Sequence, residues 1–228
     1  MTRPHTEAEF NRFRDEMCAA FGASVVDKRT AIEHHGIAWV LQARGILDAD
    51  TYLDHYATTL GTIIAWPKGN IGLSLLAHEI RHVQWYTRTG LTPFEMAIDS
   101  ARVWLLKQKF AALLARVPTL QSTIDLDGIA EFAWPYATEG LERGLFEIDA
   151  YMVQAEVEYA ISGRVWKLDE MMAHLAHGYG LDAQALADAR LVAESRLSEL
   201  NATRLLRTST AQKAVEILKG ISPELVAP

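Results

Sequence analysis

Ile71-Gly72-Leu73-Ser74-Leu75-Leu76-Ala77-His78-Glu79-Ile80-Arg81-His82-Val83-Gln84-Trp85-Tyr86-Thr87-Arg88-Thr89-Gly90 is the stretch that decides how this chain is read. Leu73, Leu76, Ile80 and Val83 recur at helical spacing, and Ile71, Leu75, Trp85 and Tyr86 flank the other side. The spacing predicts a helix from about Ile71 to Arg88, closed by Gly90, that is apolar nearly all round and therefore buried. Such a helix still carries two histidines and a glutamate, and buried polar groups need partners. His78 and His82 stand four residues apart. On a helix that separation is about 40° of rotation and about 6 Å of rise, so both imidazoles reach one metal ion. Glu79 lies about 100° round from His78, beside the metal, where it can take a proton from a metal-activated water. The pentad His78-Glu79-Ile80-Arg81-His82 is an HExxH motif. In a chain with eight histidines its chance expectation is about 0.02. A helix whose histidines are simply hydrogen-bonded is the blander alternative.

Working outward, Thr58 to Trp66 is rich in β-branched residues, with Gly61 as a bend and Pro67 as a stop, and predicts a strand or hairpin. A turn at Lys68-Gly69-Asn70 joins it to the motif helix. Further upstream, Phe10, Phe13, Met17, Ala20 and Phe21 predict a helix over Thr6 to Phe21 that ends at Gly22. Ser24 to Asp27 reads as a short strand, and Ile37 to Leu47 and Ala49 to Tyr56 as short helices. Downstream, Thr92-Pro93-Phe94-Glu95 opens a helix with a cap, a first-turn proline and a capping-box glutamate, running to about Arg116. Residues 121–140 read as irregular around Trp134-Pro135-Tyr136. A helix over Leu141 to Ile161, stopped by Gly163, is followed by amphipathic helices at Leu168 to Gly178, Asp182 to Leu200 and Ser209 to Leu218. The expected fold is α+β, predominantly helical. It forms one zincin-like domain over 1–228, with a small sheet beside the HExxH helix, a core at about 58–160 and a helical extension at about 166–228.

Composition narrows the classes. The chain has 228 residues, half of them hydrophobic, 22% charged and with a net charge of −7. That is a globular composition, not a disordered or fibrous one. An acidic balance without a basic block argues against a nucleic-acid or anionic-membrane partner. No apolar run nears the roughly 20 residues that span a bilayer, and Met1 to Phe21 is too charged for a secretory leader. The expectation is a cytoplasmic protein, which leaves export by a non-classical route open. Cys18 is the single cysteine, so any zinc must rest on histidine and carboxylate. That is the donor set of catalytic rather than cysteine-rich structural sites.

A catalytic zinc site takes three protein ligands and keeps one position open. With no nearby third histidine, a carboxylate on another helix is expected. Glu95 is one candidate, although the capping box already accounts for it. The better candidate is in Leu145-Phe146-Glu147-Ile148-Asp149-Ala150-Tyr151, where Glu147, Tyr151, Gln154 and Glu158 share a helical face. Asp149 points about 200° away, so Glu147 and Asp149 cannot both face one ion.

Ala77-His78-Glu79-Ile80-Arg81-His82-Val83-Gln84, followed by Glu147-x-x-Ala150-Tyr151, resembles the gluzincin metallopeptidases, especially small bacterial and phage-type HExxH proteins. The resemblance covers about residues 58–160. It implies one zinc per chain, held by His78, His82 and Glu147, with Glu79 as general base for peptide-bond hydrolysis. It places Tyr151 where the group often carries an aspartate that orients a ligand histidine. Arg81 is a departure, since the stricter pattern has an uncharged residue there. Tyr136 is a candidate oxyanion donor, with loop packing as its alternative, and Arg143, one turn before Glu147, is a candidate either for binding a substrate carboxylate or for pairing with Glu147. Strand Thr62-Ile63-Ile64-Ala65 is expected to be the edge that aligns an extended peptide. His174 and His177 read as surface or capping histidines, and His34-His35 carries little weight. A peptide or protein is thus the expected substrate. The rivals are a non-catalytic zinc-binding structural or protein-interaction domain, and a metal-free helical module.

Overall fold

The chain enters its first helix through a reciprocal cap. Thr6 Oγ1 accepts the Glu9 amide at 3.3 Å, and the Glu9 carboxylate accepts the Thr6 amide at 2.8 Å, so two orphan donors are satisfied at once. Helix α1 (Glu7–Phe21) ends where Gly22 turns left-handed at φ +68°. Phe10, Phe13, Met17 and Phe21 are its buried residues, as the spacing predicts. The computed structural model describes residues 3–43, 48–69, 72–93, 96, 140–178, 181 and 183–227.

Three strands follow around two short helices: β1 (Ser24–Asp27), α2 (Ile32–Ala43), α3 (Ala49–His55), β2 (Thr58–Leu60) and β3 (Ile63–Trp66). The β2–β3 hairpin bends at Gly61, whose φ of +60° suits a residue without Cβ. The order is β1-β3-β2. β1 runs parallel to β3 with Val25 opposite Ile64, and β2 runs antiparallel with Thr59 opposite Ile64. This corrects one expectation. β3 is the central strand, with β1 and β2 on either side, so its main chain cannot pair with a peptide. β2 is the edge strand nearest the motif in sequence. A β-branched run says "strand", but nothing in it says which neighbours the strand will have.

The motif helix, α4 (Leu73–Thr87), packs on α1, β2 and β3. Its left-handed cap is Arg88 at φ +59°, with the Arg88 amide donating to the Gln84 carbonyl at 2.7 Å. The helix therefore ends two residues before Gly90, its expected stop. Beyond it come α5 (Gly140–Ser162), α6 (Leu168–Gly178), α7 (Ala183–Thr203), α8 (Ser209–Ile221) and a 3-10 turn at Pro223–Leu225. The fold is thus predominantly helical with one small sheet. Among the described residues no helix is long and apolar enough to cross a membrane.

Two compact units emerge. The first comprises residues 1–89, 153–164 and 206–228, and the second residues 90–152 and 165–205. In the first unit Phe13, Met17, Ile64, Leu76, Ala77, Ile80, Val83, Val153, Val157, Ala211, Ala214 and Leu218 are fully buried in one core. The motif helix is thus fixed by packing along most of its length. Truncating Ile80 to alanine is expected to cost about 2–5 kcal/mol in a denaturant titration, because a fully enclosed site cannot collapse onto the void. In the second unit α6 packs along α7, and Asp149 on α5 pairs with Arg196 Nη1 on α7 at 2.5 Å.

Candidate metal centre

His78 and His82 are 2% and 5% exposed, and their imidazoles meet edge to face with ring centroids 5.0 Å apart. Their Nε2 atoms are 3.3 Å apart. Two ligands at 2.0–2.1 Å on a tetrahedral ion stand about 3.3 Å from each other, so the pair has the spacing that a shared zinc requires. Glu147, fully buried on α5, completes a group in which one donor atom from each of His78, His82 and Glu147 lies within 4.8 Å of the others. Helix continuity delivers this carboxylate. Glu147 stands six residues before Val153 on α5, and Val153 and Val157 are in the core that also holds α4. An ionised carboxylate in such a place is costly without a cation or donors, and a His/His/Glu donor set is one that suits zinc. The residues present therefore fit the ion.

The other sequence candidates divide. Asp149, the alternative ligand, is committed to Arg196 and lies outside the group. Tyr151 is buried, with its ring stacked on His174 at 5.7 Å and near Trp166 at 6.3 Å. It thus belongs to an aromatic cluster, in which His174 takes part from an exposed position, as the surface reading expected. Glu95, Tyr136 and the Trp134-Pro135-Tyr136 stretch lie outside the described residues, as do the side chains of Arg143 and His177.

Glu79 is 5% exposed and held from the sheet. Thr59 Oγ1 on β2 donates to Glu79 Oε2 at 2.6 Å and lies 3.3 Å from the Glu79 main-chain carbonyl. One carboxylate oxygen is therefore fixed by the sheet. Behind this strand sits Lys28, fully buried just past β1. Its ammonium donates to the Tyr56 carbonyl and to Thr58 Oγ1, both at 2.7 Å, and lies 3.4 Å from the centre of the Tyr52 ring. Burial pushes the Lys28 amine down to about 7, with the Glu79 charge acting the other way. Burial likewise raises the Tyr52 phenol, whose oxygen is 2.9 Å from His34 Nδ1. Sequence reasoning passed over Thr59, Lys28, Tyr52 and His34. Their spacing carries no motif, and only the pairing of β1, β2 and β3 gathers them.

Arg81, the departure inside the pentad, is also buried. Its Nη1 donates to Gln84 Oε1 at 2.6 Å and lies 3.5 Å from Thr210 Oγ1 at the start of α8, and its guanidinium stacks 4.6 Å from the Trp85 ring centre. Gln84 Nε2 in turn donates to Ser209 Oγ at 2.8 Å. A charged residue is thus accommodated between Glu79 and His82 because it ties the motif helix to α8.

The chain matches no protein family, no curated protein and no solved structure. What can be said of its chemistry comes from its own residues.

Proposed function

We propose that this protein is a zinc-dependent peptide hydrolase whose metal is held by His78, His82 and Glu147. The observation that carries the reading is the 3.3 Å separation of the His78 and His82 Nε2 atoms beside the buried Glu147 carboxylate. Bound there, zinc supplies Lewis acidity towards a carbonyl oxygen and makes water a nucleophile near neutral pH. The chain's own residues supply the rest. The two imidazoles and Glu147 would supply three protein ligands, the number a catalytic zinc uses. Glu79, restrained at Oε2 by Thr59, takes the proton from the attacking water and returns one to the departing amine, which is general acid–base work. The edge strand β2 carries Thr59, so an extended peptide pairing along β2 would run past the same carboxylate. The gluzincin resemblance of the two motifs agrees with this assignment.

A second reading is favoured by the burial of the site. With His78, His82, Glu79 and Glu147 all 5% exposed or less, a closed zinc centre that staples α4 to α5 without catalysis fits the same geometry. Replacing Glu79 by glutamine separates the two. In a hydrolase, zinc stays and cleavage of a peptide library stops. In a purely structural site, the wild-type protein cleaves no peptide in the library.

A further inference from the structure

Among the described residues Lys28 is the one buried lysine, and the peptidase reading gives it no task. A buried ammonium is costly unless a counter-charge and hydrogen-bond acceptors compensate it. The acceptors are the Tyr56 carbonyl and Thr58 Oγ1, both on the segment leading into β2. The next residue, Thr59, donates to Glu79 Oε2. Lys28 faces the Tyr52 ring on α3, with His34 of α2 hydrogen-bonded behind it, and Thr58 on β2, while the Glu79 charge on α4 acts on the amine without a direct bond among those described.

We infer that Lys28 is a positioning residue for Glu79: its buried ammonium, donating to the Tyr56 carbonyl and to Thr58 Oγ1, holds β2 where the next residue, Thr59, restrains the Glu79 carboxylate. The inference rests on the assignment of Glu79 as the general base only for its consequence in catalysis. The link from Lys28 through Thr58 and Thr59 to Glu79 stands whether or not the site hydrolyses peptides. Two consequences follow. The substitution Glu79→Gln, ordinarily a clean way to silence an HExxH site, also removes a charge that favours the protonated form of the buried Lys28 amine. Conversely, Lys28→Met leaves the zinc ligands untouched and disturbs the base behind them.

A double-mutant cycle of Lys28→Met and Glu79→Gln on the zinc-loaded chain, read by denaturant unfolding with zinc content measured for every variant, tests this. At about pH 6.5, where the amine is largely protonated, the two changes together should cost less than their sum, by about tenfold or more in the unfolding constant. At about pH 9 the amine has lost its proton and the coupling should shrink below about twofold. A role that is only steric predicts the same coupling at both pH values. Additive effects at the lower pH, or a coupling that does not change with pH, would overturn the inference. If Lys28→Met does not fold in either background, Thr58→Val in its place removes one of the ammonium's acceptors. It should couple to Glu79→Gln with the same sign and pH dependence, and additivity there is equally fatal. Loss of zinc from the wild type would sink the metal assignment and leave the coupling result standing. Where hydrolysis is measurable, Lys28→Met should lower kcat with KM little changed.

Discussion

Glu147→Ala should reduce zinc affinity by more than about a hundredfold, because removing a direct ligand costs at least as much as the 10- to 100-fold seen when an outer-shell partner is lost. The expectation is specific to this carboxylate. Glu147 is fully buried and within 4.8 Å of both histidine donors at its ligating atom, whereas Asp149, two residues on, is held by Arg196 at 2.5 Å. Asp149→Ala should therefore leave zinc binding within about twofold of wild type, since it removes no donor from the ion. Competitive titration against a chromogenic chelator measures both. Equal losses in the two variants would mean that the helix, not the carboxylate, is what the metal requires.

Glu79→Gln should lower peptide hydrolysis by about 10²- to 10⁴-fold, the usual contribution of a positioned acid–base group, with zinc retained near one per chain. Glutamine keeps the shape and can still accept from Thr59 Oγ1, now 2.6 Å from Oε2, but it cannot take a proton from water. The measurement is a steady-state rate on a cleavable peptide together with metal analysis of the same sample. Because the variant also removes a charge that favours the protonated Lys28 amine, a fall in stability is expected beside the fall in rate. Thr59→Val provides a milder companion. It leaves both charges in place and frees Glu79 Oε2, so it should lower kcat while keeping zinc.

How much of this was legible in the residues depended on whether the signal was local. The α1 cap at Thr6 and Glu9, its stop at Gly22 and its buried phenylalanines are all local, and the structure has them where the spacing put them. The same holds for His78 and His82, because an i, i+4 pair on a helix converges whatever surrounds it. Glu147 was reachable by elimination. The helical wheel separates it from Asp149, and the structure keeps them apart, one at the histidines and one at Arg196. Non-local pairings were not legible. Nothing in Thr58 to Trp66 says that β1 will run parallel along the far side of β3, which places β3 in the middle and β2 at the edge. Lys28 carries no signal in the sequence, and only that pairing buries it against Tyr52 and Thr58. Arg81 looked like a blemish in the motif until α8 supplied Ser209 and Thr210. The stop of α4 at Arg88 rather than Gly90 is a smaller instance, in which a left-handed arginine was accepted despite a steric cost of about 1–2 kcal/mol.

The central claim is that one zinc ion sits on His78, His82 and Glu147. Elemental analysis of the chain purified without chelator, alongside His78→Ala and Glu147→Ala, tests it most directly. About one zinc per wild-type chain is expected, as a single site with three protein ligands requires, and almost none in either variant. A folded wild-type protein that holds no stoichiometric metal, and takes up none when zinc is supplied, would contradict it.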